Sequence, residues 1–364
     1  MKIFLYLLYP FSLVYRLLFW WSRLGISPFH IPNVLVISVG NLTVGGTGKT
    51  PFVQYLVRFF QKTYPGYAIT ILSRGYKAKK IKDGAILSSG LEPKLYGDEP
   101  SQHKEMFPDV QVIIGRNRKK SFLQYNQINS QKHIVILDDG FQHKALHRDF
   151  DFVLLDANSP FGNGFTIPLG FLREPIGHGN RANAVVFTKL TPKNRQYLDH
   201  YKKALTQSGV TIPIFHTSFQ AEIKQVLLNQ NLLQKLWKPE PDSEIKYLLV
   251  TGVGNPNSVF ETAKSVLFSD SIRTKFFPDH FDYGASSLSS LLKEIQTDEI
   301  LVTTEKDWIK MRGDIGFIGE LTKKNVRVLI LFIQVSVEEE KEMQSMLAGL
   351  VSTYELENDL VLKI

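Results

Sequence analysis

The chain has 364 residues, 43% of them hydrophobic and 21% charged, a composition that buries a large core and excludes an intrinsically disordered polypeptide. It contains no cysteine, which excludes a disulfide framework and a zinc–thiolate site and makes a reducing compartment the natural setting. A formal net charge of +8 favours anionic partners, but nucleotides, nucleic acid and an anionic bilayer all meet that description.

The first thirty residues, MKIFLYLLYPFSLVYRLLFWWSRLGISPFH, are loaded with Leu, Phe, Tyr and Trp and interrupted by Pro10 and Arg16. They lack the long uncharged run of a spanning helix and the cleavage motif of a secretory signal. The pattern predicts a segment lying in or against a membrane interface, with Lys2, Arg16 and Arg23 at phospholipid head groups and Trp20, Trp21 and the tyrosines at their level. The competing expectation is a helix packed on its own domain. A true transmembrane helix is disfavoured, since Arg16 would have to snorkel and Pro10 would disrupt helical bonding.

From Val34 to Pro51 the chain reads VLVISVGNLTVGGTGKTP, a β-branched apolar run followed by a glycine-rich turn and then an apolar-periodic segment. Strand, loop and helix in that order are what a phosphate-binding loop requires. Backbone N–H groups around Gly45, Gly46 and Gly48 would face phosphate oxygens, Lys49 would reach the β- and γ-phosphates, and the Thr50 hydroxyl would hold Mg2+. The usual pattern has a further glycine five residues before Gly48, where this chain has Thr43, so the loop is a variant. A merely structural strand-to-helix turn is the alternative.

Val53, Leu56, Val57 and Phe60 continue as the stripe of a helix packed on a sheet, and Ala68 to Leu72 forms the next strand, ending in Ser73-Arg74-Gly75-Tyr76. The stretch from Lys77 to Pro108, with Gly97-Asp98-Glu99-Pro100 inside it, reads as a functional loop. Val110 to Ile114 is a short strand leading to Gly115-Arg116-Asn117-Arg118, a basic run that suits a solvated helix face and phosphate binding equally. His133 to Leu137 is a buried-type strand ending in Asp138-Asp139-Gly140-Phe141-Gln142-His143, where a carboxylate at the strand tip can approach Mg2+ or its waters. Phe152 to Leu155 leads to Asp156, Pro160 to Asn183 is a loop containing Leu172-Arg173-Glu174-Pro175, and Ala184 to Phe187 ends at Thr188-Lys189.

Strands separated by helix-length segments predict an α/β fold, a mostly parallel sheet covered on both faces, with a second, smaller α/β portion behind it. Residues 211–241 read as strand-rich, with 232–244 a linker or covering loop. Tyr247 to Val250 opens the second block, followed by Gly252-Val253-Gly254-Asn255-Pro256, a strand running into a loop over Thr274 to Phe281, and Glu299 to Val302 before Thr303-Thr304-Glu305-Lys306-Asp307. Val326 to Phe332 gives a last core strand and Glu338 to Glu342 an exposed helix start. The expected units are a membrane-interface segment over 1–30, a nucleotide-binding core over 31–205, a linker and possible hinge over 206–245, and the second portion over 246–364.

Phosphoryl transfer needs phosphate charge neutralised, a metal held and an acceptor oxygen placed in line beside a base. Lys49, Thr50 and Asp138 meet the first two needs. For the third, loop context favours Asp98 or Glu99, and His280 offers an imidazole that an acid could orient.

The aromatic N-terminus taken with GNLTVGGTGKTP, SRGY, GDEP, GRNR, DDGFQH, LREP, FTK, TGVGNP, FPDHFDY and TTEKD resembles the tetraacyldisaccharide 4′-kinase family, the lipid A 4′-kinases of Gram-negative bacteria. The resemblance implies a phosphate-loop kinase at the cytoplasmic face of the inner membrane. It would use ATP and Mg2+ to phosphorylate the 4′-hydroxyl of tetraacyldisaccharide 1-phosphate, an acylated glucosamine disaccharide. It implies Asp98 as base with His280 assisting, a phosphate site over Thr43, Gly45, Gly46, Thr47, Gly48, Lys49 and Thr50, and Glu99 and Asp138 at the metal beside Thr50. Asp139 and His143 are implied in metal-water or orienting roles, and Arg74, Arg116, Arg173, Glu174 and Lys306 fall in further family motifs without individual roles. Partners implied are the lipid acceptor and the phospholipid surface, with neither nucleic acid nor an obligate protein partner. The rivals are a membrane-associated NTPase that couples hydrolysis to conformational change and a nucleotide-binding protein without catalysis.

Overall fold

A computed structural model describes residues 7–76, 78–88, 92–130, 132–230, 232–239 and 245–361. Its centre is β1 (Leu35–Asn41), buried at every position because both faces are covered, as its unbroken apolar run requires. β1 pairs in parallel with β5 (His133–Asp138) and β6 (Phe150–Asp156). β5 is flanked by β2 (Ala68–Ser73) and then β4 (Gln111–Ile114), and the short antiparallel β3 (Ala85–Ile86) forms the edge. On the other side β6 is followed by β7 (Ala184–Thr188) and β8 (Ile214–Leu227). Parallel pairing brings the C-terminal tips of β1, β2, β5, β6 and β7 to one edge, so the sequence motifs that follow those strands share it.

β8 is the strand that sets the architecture. Ile214 to His216 pair with β7, while Thr217 to Val226 pair antiparallel with β13 (Val328–Val337). β13 continues in parallel to β12 (Glu299–Thr304), β10 (Lys246–Thr251) and β11 (Ile272–Phe276), and β9 (Leu233–Trp237) pairs antiparallel with the far end of β8. The result is one mixed sheet of thirteen strands flanked by helices. Because β8 runs on past the tip of β7 and its partner turns back, the second set of strands aims its C-terminal tips at those of the first. Residues 206–245, expected as a linker or covering region, contain β8 and β9; residues 231 and 240–244 of that stretch lie outside the described residues.

Helix α1 (Tyr9–Trp21) precedes the sheet, and α2 (Lys49–Thr63) follows the glycine-rich turn, burying Phe52, Val53, Leu56, Val57 and Phe60 against it. Each such side chain contributes roughly 1.5–3 kcal/mol of burial. The segment around Asp98, expected to be loop, is instead the start of helix α3 (Asp98–Met106), and β3 and a short helical turn over Pro93–Tyr96 precede it. Gly97 takes φ 95 to turn the chain in, and Asp98 and Glu99 occupy the first turn, where the positive end of the helix dipole favours carboxylates. Helices α4 (Arg118–Tyr125) and α5 (Leu198–Gln207) belong to the first set of strands. Around the second set lie α6 (Pro256–Leu267), α7 (Ala285–Glu294), α8 (Glu305–Met311) and α9 (Ile315–Lys323). The last helix, α10 (Glu340–Val361), returns to the first core, where Met343, Leu347 and Val351 are buried at helical spacing and Tyr67 donates to Glu355 at 2.8 Å.

In α1 only Ser12 is buried; its hydroxyl donates to the Thr166 carbonyl at 2.9 Å and accepts from the Leu169 amide. Tyr15 donates to the Arg173 carbonyl. Phe11, Leu17, Leu18, Trp20 and Trp21 all stand more than half exposed. Pro10 does not interrupt this helix, since it sits in the first turn, where a missing N–H costs nothing. Arg23 also departs from expectation by turning inward, to 3.7 Å from the buried Glu174 and over the Phe19 ring. Lys2 lies outside the described residues. No helix among the described residues is long and apolar enough to cross a membrane.

Candidate active site

The glycine-rich turn between β1 and α2 is built as a cradle. Gly48 adopts a left-handed φ of 82 as N-cap of α2, and a Cβ there would lie 2.8 Å from the Phe219 ring of β8. Gly45 has φ 119, while Gly45 and Gly46 are exposed and crowd nothing. The tip of β7 steadies the loop from the side: Thr188 donates to the Thr47 carbonyl at 2.8 Å, and Lys189 bonds both the Gly46 carbonyl and Asp156. Thr43, expected among the nucleotide contacts, is buried in a bridge to Leu172 that stitches the start of the loop to the 160–183 segment.

Lys49 opens α2 and its ammonium lies 3.5 Å from Asp139 at the tip of β5. Arg173 donates to both Asp139 oxygens, at 3.0 and 3.2 Å, and to Gln142. Burial alone would raise the Asp139 carboxyl, but Lys49, Arg173 and Arg118 outweigh it and hold it down to about 2. Asp139 is therefore a fixed anion beneath the cradle, and it sits in the left-handed region with φ 55, as do Lys189 at 59 and His280 at 62.

Asp138, the last residue of β5, is buried. One oxygen lies 3.4 Å from the Ser73 hydroxyl of β2 and 3.5 Å from His103 of α3, and Oδ1 has no partner among the described residues. Burial and the Asp138 charge raise the Glu99 carboxyl against the pull of Lys49 and His103. Two crowded carboxylates and a hydroxyl offer only oxygen donors, with one buried oxygen unused. That set fits a hard cation such as Mg2+ and would relieve the repulsion.

Asp98 and His280 are 182 positions apart and meet: His280 Nδ1 lies 2.9 Å from Asp98 Oδ2. Lys310 on α8 reaches the same oxygen at 2.9 Å and also the Phe281 carbonyl. Burial pushes Asp98 upward, but the hydrogen bonds from His280 and Lys310 leave it lowered and ionised. Helix α8 is anchored behind the dyad by Asp307, which takes hydrogen bonds from Thr251, the Gly252 amide, Tyr283 and Thr304. Lys306 pairs with Asp279 at 3.2 Å, beside the dyad.

The remaining candidates scatter. Arg74 is exposed at the tip of β2, and Arg116 is exposed at the turn after β4. Glu174 is fully buried away from the cradle, receiving Gln142, His178 and Arg181. His143 meets Arg118 at 3.3 Å; burial, followed by the Arg118 and Arg148 charges, pushes it down to about 3, so it is neutral. Sequence reasoning passed over two residues. Arg118 is buried and donates to the Asp138 and Asp139 carbonyls, fixing the carboxylate turn, although the sequence gives it only as part of a basic run. Lys310 carried one signal, its position one helical turn after Lys306 in the TTEKD segment.

The family described as tetraacyldisaccharide-1-P 4′-kinase matches residues 4–352. A tetraacyldisaccharide 4′-kinase of Leptospira biflexa serovar Patoc is 56% identical over 371 aligned positions, covering 99% of each chain. One from Syntrophobacter fumaroxidans is 36% identical over 76% of this chain and 72% of its own. Among solved structures, the "apo" form of LpxK from Aquifex aeolicus in complex with ATP superposes with a TM-score of 0.73 at 27% identity, covering 95% of this chain and 99% of that one. A family match over most of the chain and a 56% identical relative covered end to end show that the chain belongs to the tetraacyldisaccharide-1-P 4′-kinase family.

Proposed function

We propose that this protein transfers the γ-phosphoryl group of ATP to the 4′-hydroxyl of tetraacyldisaccharide 1-phosphate, at the cytoplasmic surface of the inner membrane. The observation that carries the reading is the Asp98–His280 contact, in which an acid at the start of α3, in the first set, meets an imidazole carried by the second. A nucleotide-binding protein without an acceptor needs the cradle and the buried carboxylates but has no use for that pair. Beyond the cradle, then, sits the apparatus for taking a proton from a hydroxyl.

In this reading the amides of Gly45 to Gly48 and the Lys49 ammonium take the ATP phosphates, and Lys49 exchanges its contact with Asp139 for phosphate oxygens. Thr50, Asp138 and Glu99 are the residues that would hold Mg2+, which when bound would neutralise charge on the transferring phosphoryl group. Asp98 accepts the proton of the 4′-hydroxyl, with His280 bonded to its other side and Lys310 keeping it ionised until then. Arg118 holds the Asp138–Asp139 turn rigid while charge shifts. The long strand β8 and the 206–245 region around it form the proposed hinge between two α/β units, whose closure over ATP would exclude water. The exposed apolar side of α1 lies in the membrane interface. An acceptor carrying four acyl chains stays there, because each methylene brought into water costs about 0.8 kcal/mol.

The test is Asp98→Asn. Phosphoryl transfer to the lipid acceptor is expected to fall by about 10²–10⁴-fold, the range for losing a general base, with ATP affinity near wild type. Parallel loss of ATP binding would assign Asp98 to the nucleotide or metal instead and remove the acceptor-side role.

A further inference from the structure

At the edge of the sheet opposite the cradle, where β1 and β6 begin, two histidines and an aspartate converge. One donor atom each from His30, His147 and Asp149 lies within 4.8 Å of the other two. β1 has seven residues, so at roughly 3.3 Å per residue this point is about 20 Å from the glycine-rich turn. None of the three enters the reaction proposed above.

The local backbone fixes the arrangement. The Phe29 amide donates to the Ala145 carbonyl, and the Phe29 carbonyl accepts from the His147 amide, each at 2.9 Å, a bridge that sets His30 beside His147. Their rings stand 5.1 Å apart, centre to centre, and 33° from parallel. Lys119 lies over the Phe29 ring at 4.2 Å and holds the bridge from outside. The Asp149 amide donates to the Val36 carbonyl, and Asp149 Oδ2 accepts from the Val36 amide at 2.7 Å. That leaves Oδ1 facing His147 Nε2 at 3.4 Å.

The donor set and its spacing decide what fits. A charge-assisted hydrogen bond between these groups would close to about 2.7–2.9 Å. Tetrahedral metal–ligand bonds of about 2.0–2.1 Å instead put neighbouring donors about 3.3–3.4 Å apart, which matches the His147–Asp149 separation. A backbone amide already orients the far oxygen of Asp149, the outer-shell support that ligating carboxylates receive. Two imidazoles and a carboxylate suit Zn2+, whereas Mg2+ takes oxygen sets such as that of Asp138 and Glu99. The comparable cluster of His216, Glu338 and Glu339 is closed on itself: His216 meets Glu339 at 2.6 Å and Arg195 takes Glu338.

We propose that His30, His147 and Asp149 bind a zinc ion, with water as the fourth ligand, and that the ion clips the segment leaving α1 to the start of β6. Both imidazoles are exposed, so the ion enters directly from solvent. The three ligands come together only in the folded chain, so binding stabilises that fold by mass action.

The test uses the full-length protein, stripped with a chelator and returned to saturating Mg2+, which fills oxygen-donor sites. Zn2+ is titrated by calorimetry into wild type, His30→Gln/His147→Gln and Glu338→Gln, with melting curves in chelator establishing that all three are folded. Wild type and Glu338→Gln are expected to bind one equivalent with equal affinity. The double variant should bind at least about 100-fold more weakly, since losing even an outer-shell partner costs about 10–100-fold. Equal binding by all three proteins overturns the site, and so does a loss confined to Glu338→Gln. A second measurement needs no variant: one equivalent of Zn2+ should shield His30 and His147 of wild type from diethylpyrocarbonate, read by mass spectrometry, while the exposed His200 is still modified. His30 and His147 modified as fast with zinc as without it would overturn the assignment. Neither measurement depends on turnover, so the site stands or falls separately from the kinase reading.

Discussion

Replacing Lys310 by methionine isolates what keeps Asp98 ionised. Lys310 is nearly enclosed, with 8% of its side chain exposed, and its ammonium lies 2.9 Å from Asp98 Oδ2, the oxygen that His280 also approaches. Methionine keeps the length of the stem and removes the charge. A hydrogen bond to a charged group is worth about 1.5–3 kcal/mol, and one pH unit of carboxyl shift is about 1.4 kcal/mol, so the Asp98 pKa should rise by roughly one to two units. Burial already pushes that carboxyl upward and would then face one opponent fewer. Catalysis by ionised Asp98 predicts that the acid limb of the profile of kcat/KM against pH moves toward neutrality by that amount. Activity at high pH should be largely retained, with ATP affinity unchanged. Melting curves at each pH establish that the variant is folded. A profile lowered uniformly, with its acid limb where the wild type has it, would refute the reasoning, because Lys310 would then support α8 without governing Asp98.

Three further outcomes follow from the same geometry. Gly48→Ala should abolish measurable ATP binding, since a left-handed φ of 82 costs an L-residue about 1–2 kcal/mol and the new methyl would lie 2.8 Å from Phe219; nucleotide affinity by fluorescence titration checks it. Acid should unfold the protein in two stages. Burial holds His133 neutral down to about 4 and, with the Arg118 and Arg148 charges, His143 down to about 3, so stability drains as pH falls from 6.5 toward 3; Asp139, lowered from 3.8 to about 2, adds a loss of ~2–3 kcal/mol as pH falls from 3.8 to 2. Asp139→Asn should shrink the lower stage in melting temperatures recorded from pH 7 to pH 2, leaving the histidine share, and an unchanged curve would count against the ion cluster. Trp20→Ser with Trp21→Ser should lower the fraction bound to anionic vesicles in a flotation assay; an unaltered fraction would remove α1 from the membrane interface.

Much of the site was legible because local chemistry wrote it. A β-branched run before glycines and Lys49, or before Asp138, announces a buried strand and its tip, and parallel pairing does the rest. The Asp98–His280 pair is different. Nothing local connects residues 182 positions apart, and only the resemblance to a kinase family joined them. What brings them together is β8, whose antiparallel ladder with β13 turns the second set of strands to face the first. A strand-rich passage with polar spacers does not declare that geometry, and neither does the charged start of α10 reveal the apolar stripe that returns to the first core. Charge was misread in both directions for one reason: sequence places an arginine but not its direction. Arg118 belongs to a basic run yet is buried against carbonyls, and Arg23 follows a helix suited to lipid yet points at Glu174. Asp98 and Glu99 between Gly97 and Pro100 suggested a loop because glycine and proline break helices in mid-course, whereas here they start one.

The central claim is that a lipid hydroxyl, and not water, receives the phosphoryl group. Purified protein incubated with Mg2+, detergent, γ-labelled ATP and tetraacyldisaccharide 1-phosphate should release ADP and labelled lipid in equal amounts, with the label on the 4′-oxygen. ADP released from folded, ATP-binding protein without labelled lipid would contradict the account and leave a nucleotide hydrolase in its place.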